Sequence, residues 1–237
     1  MLYTVWCIFW FVFIYTLLFP IQFVALQRES WKPFAHWLNR FWGQCFFAIA
    51  GIKVDVRYDF TPDPKGVYVF CANHFSYIDI AAMGVVVDNF YAFIGKHGVK
   101  NIPALGYMFR KLHIQVNRDQ PNSRSYALNK CIKTLADGRS VMIFPEGGIK
   151  TKNPPLMTDF QDGAFKMAIQ QQVPIVPIAL LTNYQIMPDA SPFRVHRRTV
   201  EAVILPPIDT LGKTQADVSE LRVRCYEMIT KALIEKV

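Results

Sequence analysis

Residues 2–27 (LYTVWCIFWFVFIYTLLFPIQFVALQ) form a run of 26 without a single charged side chain. A helix needs about 20 apolar residues to cross the hydrocarbon core of a bilayer, so this run fixes part of the chain in or on a membrane. A signal peptide is disfavoured, because no Lys/Arg region precedes the run and its apolar stretch is too long. A buried core helix of this length is also disfavoured. Two readings remain, a spanning helix or one lying in the interface. Pro20 and Gln22 are expected to interrupt a simple span.

A second stretch, Trp31 to Ala50, is rich in aromatics. Lys32, His36, Arg40 and Gln44 recur in it at spacing four and so share one helical face. That is the pattern of an interfacial amphipathic helix. If the first segment spans, Arg28, Lys32 and Arg40 place its C-terminal side in the cytoplasm. Both readings put the remainder of the chain on the cytoplasmic face. The expected organisation is therefore 1–50 as membrane helices and 51–237 as one further domain.

The chain of 237 residues is 52% hydrophobic, and the excess lies at the N-terminus. A remainder of this length can bury a full core without disulfide staples. Five cysteines, Cys7, Cys45, Cys71, Cys131 and Cys225, are widely spaced with no CxxC. This argues against a disulfide framework or a zinc site and for a reducing compartment. The formal net charge of +8, beside a membrane segment, points to anionic lipid and phosphorylated substrates, with plain solubility as the bland alternative. No nucleic-acid-binding module is visible.

Beyond Gly51 the pattern alternates. Strands are predicted at 52–57, 67–72, 91–95, 114–116, 141–144, 173–181 and 200–205. Helices are predicted at 78–87, 103–111, 122–137, 160–172 and 216–235. Strands alternating with helices give an α/β domain with a largely parallel sheet. In such sheets ligands bind beyond the carboxyl ends of the strands. Polar motifs that follow apolar strands are where chemistry is expected.

Two motifs stand there. After VYVFCA comes NHFSYID, with His74 at the strand end and Asp79 five residues on. With His74 in the loop and Asp79 in the first helical turn, the carboxylate can hold Nδ1–H and leave Nε2 free as a base. Ser76 lacks the GxSxG context of a nucleophile, so the pair suits direct attack by a substrate hydroxyl. The alternative is a loop-capping histidine. N-H-x4-D arises by chance in a chain this long roughly once in a hundred cases. After VMIF comes Pro145-Glu146-Gly147-Gly148. Two glycines permit positive φ and bring backbone N–H groups close to a phosphate or oxyanion. Glu146 would bond a hydroxyl or fix a nearby Lys or Arg. The alternative is an ordinary Gly-Gly turn.

Together these motifs resemble the glycerolipid acyltransferase family, that of the 1-acylglycerol-3-phosphate acyltransferases. NHFSYID matches its first block, N-H-x4-D. IFPEGG matches its third, F-P-E-G. Val173 to Ala179 (VPIVPIA) matches its fourth, and KHGVKNIPALGYMFRKLHIQVNR is similar to its second. The resemblance covers about residues 52–210. It implies an α/β sheet flanked by helices with an N-terminal two-helix membrane motif. It implies His74 as general base and Asp79 as its orienter. Asn73, Lys96, Arg118, Glu146, Gly147 and Gly148 would line the substrate site. The implied reaction moves a fatty acyl group from acyl-CoA or acyl carrier protein to the sn-2 hydroxyl of 1-acyl-sn-glycerol-3-phosphate. The expected partners are the lysophospholipid acceptor, the thioester donor and membrane lipid, with no metal, no cofactor and no nucleic acid.

This chain departs from the family pattern in two places. The third block continues Gly148-Ile149-Lys150 instead of Thr-Arg-Ser, and Leu112 and Gln115 stand where the second block has Gly and Phe. Both blocks line the acceptor site, so the departures bear on the acceptor head group. Lys150 or Lys152 is a candidate to restore the missing charge. Alternatives are glycerol-3-phosphate, another lysophospholipid or a lyso-aminolipid as acceptor, a thioesterase in which His74 activates water, and a non-catalytic lipid-binding protein.

Overall fold

The structure is a computed structural model and describes residues 1–96, 102–116, 121–189 and 192–235. Two helices open the chain, α1 (Leu2–Ala25) and α2 (Lys32–Ala50). α1 continues through Pro20 without a break. Gln22 does not interrupt it either, because its amide donates to Asn39 Oδ1 on α2 at 3.0 Å. Gly51, at φ 65°, ends α2 in the left-handed conformation that glycine adopts without a Cβ penalty.

The sheet follows. Its strands are β1 (Val54–Tyr58), β2 (Val69–Ala72), β3 (Tyr91–Lys96), β4 (Ile114–Val116), β5 (Ser140–Ile143), β6 (Ile175–Leu180) and β7 (Val200–Ile204). Between and after them lie α3 (Ile78–Val86), α4 (Leu105–Leu112), α5 (Pro121–Ala136), α6 (Gly163–Gln171), α7 (Asn183–Ile186) and α8 (Val218–Ile234). The spatial order is β1-β7-β6-β2-β5-β3-β4. β6, β2, β5, β3 and β4 are parallel neighbours, and β7 runs antiparallel to β6. The seven strands and the five long helices after α2 agree with the expected α/β architecture, with boundaries shifted by up to three residues.

The reversal at β7 and the short α7 were not expected. Among the described residues between β6 and β7, α7 is the one helix. Residues 181–199 are long enough for a crossover, yet β7 returns antiparallel and pairs Ile204 with Ile178 and Ala202 with Leu180.

β2 is buried along its whole length. Val69 and Cys71 face a core built with α5, α6 and α8, while Phe70 and Ala72 face a second core with Met83 and Val86 of α3. This explains a continuous apolar run where a half-exposed strand would alternate. α1 and α2 pack on the α3 side, with Cys7, Ile14, Phe46 and Phe47 against Ile78 and Ala82.

The middle of the polar face of α2 turns inward, while Gln44 is exposed. His36 is buried, and Arg40 donates to the Val87 carbonyl at 2.9 Å and pairs with Asp88 at 3.2 Å. The aromatic face is turned out, with Trp31, Phe34, Trp37 and Phe41 exposed. Leu2, Val5, Trp6 and Phe9 of α1 are exposed as well, so both ends of the helix pair present apolar surface of the kind that marks a membrane or partner surface.

Candidate active site

β2 ends at Ala72, and the chain turns through residues 73–77 into α3. His74 lies in that turn and Asp79 in the first turn of α3, where a helix N-terminus favours negative charge. His74 Nδ1 is 2.9 Å from Asp79 Oδ2. The same oxygen accepts the backbone N–H groups of Phe75 and Ser76, each at 2.9 Å. Asp79 Oδ1 accepts from Asn183 Nδ2 at 2.8 Å. The carboxylate is fully buried and fully bonded, so it can hold Nδ1–H in one orientation, leaving Nε2 as the nitrogen available to a substrate. The His74 side chain is 12% exposed. Its ring stacks on Phe144 with centroids 4.1 Å apart.

The β5–α6 turn supports this pair from the other side. Glu146 Oε1 accepts the His74 backbone N–H at 2.8 Å, and Oε2 accepts the Thr158 N–H at 2.9 Å and its hydroxyl at 3.1 Å. Burial pushes the Glu146 carboxyl up, against the Thr158 and His74 hydrogen bonds that favour its charged form. Gly147 and Gly148 have φ of 80° and 150°, backbone that side-chain-bearing residues adopt with strain. A Cβ at Gly147 would come 3.5 Å from Lys150 Nζ, so that ammonium leans over the turn.

Three expectations need correction. Asn73 does not face a substrate: it is fully buried, and its amide bonds Leu180 O at 3.0 Å and Leu180 N at 2.7 Å. Both ends of the carboxamide are used to tie the turn to β6. Glu146 does not line the site either, because each of its oxygens is occupied by the protein and none of it is exposed. The Gly147 N–H donates to the Phe144 carbonyl at 2.9 Å, which withdraws it from any oxyanion. The Gly148 N–H has no such partner among the described residues. Arg118 lies outside the described residues, as does the Lys96 side chain. Ser76 Oγ donates to Met187 O at 2.7 Å and is buried.

Asn183 and Thr158 are the residues that sequence reasoning missed. Asn183 stands three residues beyond the end of β6, so the rule that chemistry gathers beyond strand carboxyl ends could have found it. Thr158 carries no local signal.

An apolar cavity of about 390 Å³ opens beside the motif, lined by Tyr77, Ile78, Ile80, Phe93, Leu105 and Met108 among others. Phe93 stacks on Phe144, centroids 6.1 Å apart, so one ring stands between this part of the cavity wall and the His74 imidazole. Of the apolar residues flanking the motif, Ile80 and Phe93 line this space. Phe75 and Met83 are ordinary core.

A sequence model of the Acyltransferase family matches residues 53–181. The 1-acyl-sn-glycerol-3-phosphate acyltransferase BAT2 of Brassica napus is 30% identical over 188 residues, 78% of this chain and 54% of its own length. The 1-acyl-sn-glycerol-3-phosphate acyltransferase alpha of Homo sapiens is 32% identical over 185 residues, 76% of this chain and 64% of its own. The lyso-ornithine lipid O-acyltransferase of Rhizobium meliloti is 31% identical over 137 residues, 57% of this chain and 45% of its own. The chain thus spans about half the length of the first of these relatives. The crystal structure of the 1-acyl-sn-glycerophosphate (LPA) acyltransferase PlsC from Thermotoga maritima has the same fold. Its TM-score is 0.78 at 22% identity, covering 98% of this chain and 95% of that one.

Proposed function

The chain belongs to the Acyltransferase family, and from that premise we propose that it transfers a fatty acyl group from a thioester to the sn-2 hydroxyl of 1-acyl-sn-glycerol-3-phosphate, forming phosphatidate. The observation that carries the mechanism is the 2.9 Å contact between His74 Nδ1 and buried Asp79 at the end of β2. His74 Nε2 takes the acceptor's hydroxyl proton as its oxygen bonds to the thioester carbonyl carbon. The C–S bond then breaks, and the imidazolium returns the proton to the departing thiolate of coenzyme A or acyl carrier protein. Asp79 holds the ring, and Glu146 and Asn73 hold the turn that carries it. The Gly148 N–H and Lys150 are the groups assigned to the oxyanion and to the acceptor phosphate.

A second acceptor class rests on one observation. Ile149 stands where the third block has its arginine, and a relative is named for lyso-ornithine lipid. A lyso-aminolipid presents no phosphate for an arginine to grip.

We further assign residues 1–50 to membrane binding on the cytoplasmic face, with α1 lying in the interface. Near one end of α1, Thr4 Oγ1 accepts from Val195 N at 3.1 Å. Beyond its other end, the Gln27 amide donates to Tyr107 OH at 2.9 Å. Both contacts are made to the same domain, so a helix about 36 Å long could span only by breaking one of them. Each buried CH₂ of a substrate chain contributes about 0.8 kcal/mol to its partition into the bilayer. An enzyme in the interface meets both substrates there.

The test is acyl transfer by membrane fractions and by purified protein, with labelled thioester donors and a panel of acceptors. General-base catalysis typically supplies about 10²–10⁴-fold, and His74→Ala should lose at least that while remaining folded. Near-normal turnover in that variant would remove the mechanism. Preference for a lyso-aminolipid over lysophosphatidate would select the second acceptor class.

A further inference from the structure

Residues 192–198 fall outside the chemistry above, yet they are tied to the N-terminal end of α1. Val195 is buried against Cys7 and Phe46, and its N–H donates to Thr4 Oγ1 at 3.1 Å. Around that anchor Arg194, His196, Arg197 and Arg198 are all exposed. Arg197 Nε donates to Gly51 O at 3.0 Å, and Arg198 Nη1 donates to Gln185 Oε1 at 3.2 Å. Among the described residues no carboxylate pairs with Arg194, Arg197 or Arg198. Arg197 is the one charged residue lining an open groove otherwise made of Leu2, Tyr3, Val5, Trp6, Phe9 and Ile49 with the backbone of Ala50 and Gly51. Leu2 is 89% exposed, Val5 62% and Phe9 54%.

A guanidinium without a carboxylate partner at the wall of an exposed apolar groove, with two more exposed arginines within three residues of it in the chain, matches an amphiphile with an anionic head and apolar chains. We propose that this surface docks the anionic phospholipids of the bilayer and makes residence on the membrane depend on lipid charge. The inference rests on the interfacial placement of α1. It adds a selection among bilayers that the apolar face cannot make, since hydrocarbon is alike in every phospholipid. Basic side chains near an anionic surface contribute roughly 1 kcal/mol each, about fivefold in partition per arginine, so three arginines give about 100-fold.

The experiment follows exchange of the purified full chain between vesicles of phosphatidylcholine and vesicles of phosphatidylcholine with phosphatidylglycerol. The wild type should accumulate on the anionic vesicles, and high salt should shrink that preference. The triple variant Arg194→Gln, Arg197→Gln, Arg198→Gln should lose at least tenfold of it while still binding neutral vesicles. The corresponding triple lysine variant should keep it, as should Lys130→Gln, Lys133→Gln, Arg224→Gln, which removes three exposed cations from α5 and α8 on the other side of the sheet. An unchanged ratio in the Arg-to-Gln variant overturns the proposal. So does a wild type that binds both vesicles equally. Failure to bind either vesicle overturns the interfacial placement as well. A variant that keeps the vesicle ratio but raises KM for the thioester in neutral micelles assigns the arginines to the donor instead, which also overturns the proposal.

Discussion

At the carboxyl end of β2, both oxygens of Asp79 and of Glu146 accept hydrogen bonds, and the His74 imidazole has a carboxylate 2.9 Å from Nδ1. Under α2 the arrangement is different. His36 is buried with Nδ1 unpartnered, and Tyr91, whose ring centroid is 4.6 Å away, has an unpartnered hydroxyl. Burial, helped by the charges of Arg139 and Arg40, pushes the His36 pKa down to about 3. One imidazole is held at the edge of solvent where it can trade a proton. The other is kept neutral in an apolar wall, where a charge would be expensive. In the mechanism proposed above the same residue type is a reagent in one region, and in the other it is filling. What separates the two is whether the surroundings offer the ring an anionic partner.

The largest effect that would sharpen this contrast is catalytic. His74→Ala should lower turnover by about 10²–10⁴, whereas His36→Phe should leave it within a few-fold. Equal losses in an acyl-transfer assay would erase the distinction. Next in size is Asp79→Ala, which strands the Phe75 and Ser76 N–H groups and the Asn183 amide. Each unsatisfied buried group costs about 1–3 kcal/mol, so unfolding in denaturant should show a loss of about 3 kcal/mol or more. A smaller loss would mean that water or a rearranged turn replaces the carboxylate.

The third effect depends on pH. A folded-state pKa depressed from 6.5 to about 3 means that the unfolded chain binds the extra proton first. The folded state therefore loses stability as pH falls below 6.5, by about 1.4 kcal/mol per unit. At pH 5 that is about 2 kcal/mol. His113, whose pKa is also held down by burial, adds to the wild-type slope. The difference between wild type and His36→Phe isolates His36, and parallel Tm–pH curves for the two proteins would refute the assignment. The smallest effect concerns Lys150. Alanine at Lys150 and Lys152 together should raise the KM for a phosphate-bearing acceptor by about tenfold, the scale of one exposed to half-buried charge-assisted contact. An unchanged KM would show that neither ammonium meets the acceptor.

Much of this was legible along the chain. Strand and helix alternation follows from local periodicity, and residues 67–72 read as a strand buried on both faces because no polar residue interrupts VYVFCA. The His74–Asp79 spacing was legible as well, since five residues bridge a loop and a first helical turn. The antiparallel β7, the four-residue α7 and the roles of Asn73 and Glu146 were not. Asn73 and Glu146 have the chemistry of substrate-binding groups, and nothing in their neighbours reveals that Leu180, His74 and Thr158 already occupy them.

What the sequence determined by itself is what depends on neighbours in the chain: the apolar N-terminal run, the order of elements and the motif that carries the imidazole. What the tertiary structure decided is which distant groups meet. Asn183 reaches Asp79 across 104 residues, and Glu146 reaches His74 across 72. The parallel register of β5, β2 and β6 delivers their loops to one end of the sheet. That register is set by packing both faces of β2 at once, a condition no local stretch of sequence contains.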